Sequence, residues 1–150
     1  MAKELIVSAI ENGTVIDHIP TKSVFQVIKI LNLENVENQI LFGINLESKK
    51  YGKKGIIKVR NRFFESSDIN KISLAAPKAT LIVIKDFQVI EKSTVEIPDT
   101  IEGIVKCFNP NCITNVQNVD TKFKVISKDK IVLQCHYCEK NTVEKNIVFK

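Results

Sequence analysis

Four cysteines carry the clearest chemistry in this 150-residue chain: Cys107, Cys112, Cys135 and Cys138. The first two have four residues between them, the last two have two, and 22 residues separate the pairs. Two such pairs can bring four soft thiolates to one tetrahedral centre, the geometry zinc adopts in structural sites. In Cys107-Phe108-Asn109-Pro110-Asn111-Cys112, the proline and its flanking asparagines favour a tight turn whose amides face sulfur. Cys135-His136-Tyr137-Cys138 reads as the second knuckle. Two disulfides are the competing reading, but the chain reads as cytosolic, where disulfides are rare. A redox pair at Cys135 and Cys138 would not need the other two cysteines. His136 could replace a sulfur ligand; beside four thiolates it reads better as a surface or partner contact. Four cysteine ligands leave no position for a catalytic water, so this metal holds a fold. Zinc with four thiolates carries a formal −2, which lowers the chain's net charge from +5 to about +3.

Outside the cysteines, chemistry is sparse. The histidines, His18 and His136, lie far apart, and no Ser-His-Asp or Cys-His arrangement is present. The five glycines form neither a phosphate loop nor a dinucleotide fingerprint. Asp17-His18, at the end of an expected strand, is the one cluster of titratable neighbours, and a lone Asp-His pair is usually a local hydrogen bond. Lys58 and Lys92 could join His18 around one pocket if their strands share a sheet. Lysines and a histidine suit a polyphosphate, while Asp17 suits ribose hydroxyls. On spacing alone, however, both lysines read equally well as solvated strand-end charges.

Composition narrows the classes. Hydrophobic residues are 44% and charged residues 26%, which excludes a largely disordered chain. No apolar run approaches the roughly 18 residues a membrane span requires. Met1-Ala2-Lys3-Glu4 leads straight into Leu5-Ile6-Val7, without the apolar stretch and cleavage site of a secretory signal, so a cytoplasmic protein is expected. The basic excess is diffuse, three residues up to Pro98 and two beyond it, and is nearly all lysine. Lysine serves phosphates generally rather than the forked readout of guanine. With aromatics at 7% and no tryptophan, a dense nucleic-acid stripe is absent.

The elements that must position these residues fall into two domains. Residues 1–95 read as an α+β unit, beginning with a strand at Leu5–Ile10 and a turn at Glu11-Asn12-Gly13. Thr14–Ile19 continues extended. Val24, Val27, Ile28 and Leu31 then fall on one helical face, with Phe25 beside them. Gln39–Leu46 and Gly55–Val59 read as strands joined by a polar turn, Glu47–Lys54. Ser66 or Ser67 could cap a short helix with Ile69, Ile72 and Ala76 inward, ended by Pro77. Ala79–Ile84 and Phe87–Ile90 close the unit. Strand, helix, strand, strand, helix, strand is the order of a ferredoxin-like antiparallel sheet with two helices. A linker is expected at Glu91–Pro98. Residues 101–150 read as a small all-β zinc-binding domain, too small to rely on its core alone. It holds a hairpin, Phe123–Ser127 with Lys130–Gln134, and a closing strand at Asn146–Phe149.

One run of residues is highly specific: Gly13-Thr14-Val15-Ile16-Asp17-His18-Ile19-Pro20. With Gly43-x-Asn45-Leu46, Ala76-Pro77-x-Ala79-Thr80 and the four-cysteine pattern in the same order, the chain closely resembles the regulatory chain of aspartate carbamoyltransferase over essentially its whole length. The resemblance implies a non-catalytic allosteric subunit in pyrimidine biosynthesis. Its N-terminal domain would bind CTP or ATP, with or without Mg, and form a regulatory homodimer; its zinc domain would dock on the catalytic chain. By the same resemblance, Asp17 would contact the ribose and His18 the phosphates. Lys58 would reach the ribose and base region, and Lys92 would hold the triphosphate. Val7, Ala9, Ile10 and Val89 would line the base pocket, and Asn109 and Asn111 would face the catalytic chain. Ile82 and Phe87 stand where the family pattern has asparagine and tyrosine, and Ser8 where it has an acidic residue. Those departures bear on base preference, not on ribose or phosphate contacts. Nucleic acid and membrane are not expected partners. The alternative is a zinc-ribbon nucleic-acid-binding protein, disfavoured by the lack of an aromatic pair on adjacent strands and the near absence of arginine. A zinc hydrolase is disfavoured by the closed ligand set.

Overall fold

The computed structural model describes residues 9–49 and 52–150. It divides into two compact units, one ending at Glu96 and the other spanning Ile97–Lys150. The expected strand at Leu5–Ile10 falls mainly outside the described residues, as do Val7 and Ser8; Ala9 and Ile10 belong to no strand.

The larger unit is a five-stranded antiparallel sheet in the order β2-β3-β1-β4-β5, built from β1 (Gly13–Ile19), β2 (Ile40–Ser48), β3 (Gly52–Arg60), β4 (Thr80–Lys85) and β5 (Gln88–Thr94). Helix α1 (Val24–Ile30) links β1 to β2, and α2 (Ser66–Ile69) links β3 to β4. Each link carries the chain past one intervening strand, which gives the ferredoxin-like order with β5 added as a hairpin arm. The sheet buries Ile16, Ile57, Leu81 and Val59, while α1 contributes Val24 and Val27 and the second crossover contributes Ile69, Ile72 and Ala76. Gly55 sits where a Cβ would lie 2.1 Å from Val24 Cγ2, so α1 approaches β3 closely only because that position is glycine. Gly13 starts β1 at φ +143°, with a Cβ position 2.2 Å from the Val59 carbonyl oxygen.

Several boundaries differ from the sequence reading. The β2–β3 hairpin is longer: Glu47 pairs with Lys53 and Leu46 with Lys54, so much of the expected turn is ladder. Glu91–Thr94, expected as linker, is the second half of β5, paired with Thr80–Val83. Its exposed polar residues hid a sheet edge, where ladder hydrogen bonds rather than burial hold the chain. Neither Ser66 nor Ser67 precedes α2; its first turn folds onto the Glu65 carbonyl, which accepts from the Asp68 and Ile69 amides at 3.0 and 3.1 Å. Phe25, beside the buried helical face, is largely exposed and meets Phe42 of β2 edge to face at 5.6 Å.

The smaller unit is a four-stranded antiparallel meander, β6 (Thr100–Glu102), β7 (Lys122–Ser127), β8 (Val132–Cys135) and β9 (Asn141–Val143). A single helical turn, α3 (Ile113–Val116), follows Cys112. Phe123, Leu133 and Val105 form its core, a small one. The expected closing strand at Asn146–Phe149 is replaced by β9 and a one-turn helix at Glu144–Asn146. Only Phe149 bridges, to Val105, flanked by the Lys106 amide on Val148 at 2.8 Å and the Lys150 amide on Ile104 at 2.9 Å.

Candidate functional sites

The four cysteines converge. Their sulfurs all lie within 4.8 Å of one another, with Cys107–Cys138 at 3.6 Å and Cys112–Cys135 at 3.7 Å. A tetrahedron with metal–sulfur bonds of about 2.3 Å has edges of about 3.8 Å, so the donor set fits one four-coordinate ion. The separations are far beyond a disulfide bond, and all four cysteines are unpaired. The turn of the first knuckle is held by the Asn111 and Cys112 amides, which donate to Asn109 Oδ1 and to the Asn109 carbonyl. Asn115 Nδ2 bridges the carbonyls of Cys107 and Asn109 at 2.9 and 2.7 Å, and Thr114 donates its hydroxyl to Cys112 Sγ at 3.2 Å. Burial pushes the Cys107 thiol well above its ordinary range and raises that of Cys135. For Cys138 burial acts upward too, but the Lys140 amide and the Asn109 side chain bring the thiol to about 7. Packed thiolates without a cation would repel one another, and a bound metal supplies the missing positive charge.

The second grouping lies on the face of the large sheet opposite α1's packing. Directly opposed residues share a face, and residues two apart on a strand do as well. Val15 of β1 stands opposite Lys58 of β3 and Ile82 of β4, and Ile82 stands opposite Lys92 of β5. Lys58, Val15, Ile82 and Lys92 thus form one row across four strands. Asp17, paired with Thr80, lies on the same face one step along, and Val89, paired with Ile84, one step the other way. Val89 is exposed, Ile10 is buried beside Gly13, and Ala9 is exposed.

His18 should point to the opposite face from Asp17 by strand alternation. A β-bulge prevents this. The β1–β3 register runs from Ile16↔Ile57 to Ile19↔Gly55, inserting one extra residue on β1. His18 takes up the insertion at φ 58°, a left-handed conformation uncommon outside glycine. Its amide donates to Asp17 Oδ1 at 2.7 Å, and Nδ1 lies 3.1 Å from Thr80 Oγ1, on Asp17's side of the sheet. Asp17 also holds Lys54, with Nζ 2.8 Å from Oδ1 and 3.1 Å from Oδ2. Burial holds the Lys58 ammonium below its ordinary range, with Asp17 pulling the other way.

Sequence reasoning named Asp17, His18, Lys58, Val89 and Lys92 but missed Lys54. It had been assigned to a turn, and only the lengthened hairpin brings it to β1. Asn109 is buried in its own knuckle, whereas Asn111 is exposed. No helix among the described residues is long and apolar enough to cross a membrane.

Fold and sites define a two-unit protein in which an antiparallel α+β unit is followed by a small unit folded on a metal-binding four-cysteine cluster. Residues 5–96 match the family described as the aspartate carbamoyltransferase regulatory chain, allosteric domain, and residues 99–148 match its metal binding domain. The chain belongs to the family of aspartate carbamoyltransferase regulatory chains. Proteins carrying that name are 54% identical in Thermococcus sibiricus, covering 99% of this chain and 97% of the relative, and 51% in Pyrococcus abyssi, covering 97% of each. One from Bacteroides fragilis is 50% identical, over 95% of this chain and 94% of the relative.

Proposed function

We propose that the larger unit of this regulatory chain binds CTP- or ATP-type nucleotides, with or without Mg, and that the smaller unit, filled by one zinc ion, docks on the catalytic chain. The observation that carries the nucleotide reading is the shared face: Lys58 and Lys92 in one cross-strand row, with Asp17 and Val89 one step to either side. In this reading Lys92, exposed at the outer strand, holds the triphosphate and His18 supports it. Lys58 reaches the ribose and base region, Asp17 the ribose hydroxyls, and Val89, Ile10, Ala9 and Val7 the base. The carboxylate of Asp17 meets a ribose while still engaged by Lys54, so it acts as an acceptor whose charge is already matched.

Zinc is favoured because four thiolates at tetrahedral spacing suit a soft-tolerant ion without geometric preference, and a closed set suits a structural role. Docking is supported by exposed Phe108, Ile113, Val116 and Tyr137 on and beside the two knuckles. Asn111 is the polar contact in this reading, and Asn109 shapes the loop that presents it. A regulatory homodimer is supported by the edge position of β2, where Phe42 and Ile44 are exposed beside Phe25. The function is linkage: a nucleotide shifts the catalytic chain only by binding one quaternary state more tightly, with a typical coupling of about 1–3 kcal/mol.

The test is isothermal titration of the zinc-loaded chain with CTP and ATP, beside a short RNA at two salt concentrations. Saturable mononucleotide binding that is lost in Lys92→Ala is expected. Silence toward mononucleotides with salt-sensitive RNA binding would replace this reading by a nucleic-acid-binding one.

A further inference from the structure

The row that holds Lys58 and Lys92 has a neighbour with no role in the nucleotide reading. One two-residue step along the sheet, ~7 Å toward Val89, Arg60 of β3 stands opposite Gly13 of β1, Gly13 opposite Ile84 of β4, and Ile84 opposite Val89 of β5. Alternation puts Arg60 on the same face as Lys58, because Ile57 and Val59 are the buried residues of that strand. The chain has two arginines, Arg60 and Arg62. Arg62 lies over the Phe64 ring, 5.2 Å from its centroid. Arg60 is exposed and enters no ion pair among the described residues. We infer that Arg60 reads the base of the bound nucleotide and selects bases with two adjacent hydrogen-bond acceptors, cytosine through O2 and N3 and guanine through O6 and N7, over adenine. The inference deepens the nucleotide reading above and rests on it.

The fold leaves room for a base beside this guanidinium. Gly13 puts no side chain between Arg60 and Ile84, and a Cβ there would lie 2.2 Å from the Val59 carbonyl oxygen, so the gap is fixed by the backbone. Ile10 Cδ1 comes within 3.0 Å of the same point and supplies an apolar surface beside it. Arg60 and Ile84 stand two strand spacings apart, ~10 Å, a width that admits a flat heterocycle lying over β1. The position along the face agrees with this placement. Asp17, the ribose contact in the nucleotide reading, lies one step from the lysine row in one direction, and Arg60 lies one step in the other, with Val89.

The guanidinium is also oriented. Gln39 Oε1 accepts from Arg60 Nη1 at 3.0 Å, and the Gln39 carbonyl accepts from the Arg60 amide at 3.0 Å. Gln39 precedes β2, which flanks β3 on the side away from β1, so it holds the fork from its outer side and carries no charge to neutralise it. The remaining N–H donors are left for a ligand over Gly13. A planar fork matches two acceptors side by side, whereas an ammonium is satisfied by any single one. Guanine offers such a pair, while adenine sets its N7 acceptor beside the N6 amino donor, which meets one arm of the fork with a like group. A polar group left unpaired in this way discriminates more strongly than a lost apolar contact.

Titration calorimetry of the zinc-loaded full chain with CTP, GTP and ATP tests the inference. The unaltered chain is expected to bind CTP and GTP about tenfold more tightly than ATP. Arg60→Gln should bring all three within about threefold by weakening CTP and GTP, with ATP affinity unchanged as the internal control for folding. Arg60→Lys keeps the charge but not the fork and should lose the preference as well. Gln39→Leu should narrow the preference, because the fork is no longer held. Equal affinities in the unaltered chain, a preference that survives Arg60→Gln, or an equal loss for all three nucleotides in that variant overturns the inference and leaves the nucleotide reading standing. Absence of binding by all three overturns both.

Discussion

The two units solve the same problem, ordering a chain of modest length, by different physics. The larger unit buries Ile16, Ile57, Leu81, Val24 and Val27 between sheet and helix, and this packing together with the strand ladders positions its polar residues. The smaller unit has a core of few side chains and gathers four thiols that oppose each other's ionisation until a cation arrives. One unit is therefore governed by shape, the other by coordination. The placement of the proposed functions follows: the residues proposed to meet nucleotide in the larger unit stand on an already rigid face, whereas the exposed knuckle residues of the smaller one depend on the metal for their positions.

The largest effect should come from breaking coordination. Stripping the metal with a chelator, or replacing Cys112 by Ala, is expected to unfold residues 97–150, since structural zinc contributes on the order of 10 kcal/mol to domains of this kind. Far-ultraviolet dichroism should retain the signal of the larger unit, and the altered chain should no longer assemble with a catalytic chain but should still bind nucleotide. Normal assembly of the Cys112→Ala chain would erase the contrast between the units.

Breaking shape comes next. Gly55→Ala places a methyl against Val24 Cγ2 and is expected to destabilise the larger unit by about 1–3 kcal/mol in urea unfolding, leaving metal content unchanged. Adding Val24→Ala should restore part of the loss, because the clash is removed; a double variant less stable than the sum of the single changes would mean that Gly55 matters for another reason.

Lys92→Ala should lower CTP affinity about tenfold and nucleoside affinity much less, read by calorimetry. Equal losses for both would take Lys92 out of the phosphate role. The smallest effect is expected for Lys54→Ala. Its pair with Asp17 is partly exposed, 20% and 16% for the two side chains, so solvent screening limits the stability loss to under about 1 kcal/mol. A larger loss in thermal unfolding would show that this pair holds the bulge, and with it the His18 turn, together.

What the sequence made legible follows the same division. The cysteine spacing led directly to the metal cluster, because ligand chemistry demands convergence whatever the path between Cys112 and Cys135. The order of strands and helices was also readable, since Val24 and Val27 on a helical period and Ile16 and Ile57 in extended runs each reflect burial. Less readable were features set by hydrogen bonding without burial. Glu91–Thr94 is polar and exposed yet paired with β4, and Lys53-Lys54 reads as turn yet belongs to β3. The bulge at His18 left no mark in hydrophobic pattern at all, because a single extra residue at a strand end changes direction without changing composition. Asn109 reads in the sequence as a partner contact; the structure adds that its side-chain oxygen accepts from the Asn111 amide and holds the turn of the first knuckle.

The bridge between Val105 and Phe149 has a mechanical consequence. It is flanked by the Lys106–Val148 and Lys150–Ile104 hydrogen bonds, and the residue after Lys106 is Cys107. Tension applied through residues 148–150 is thus borne by a three-residue zipper whose far end is a metal ligand. Force opens such a ladder bond by bond and then reaches the sulfur, so coordination resists as the last link in a series. Tension applied through the larger unit is shared across a five-stranded sheet and has no comparable end point. Under load the small unit should hold to a threshold and release at once, while the large unit yields in proportion to the strands that slip.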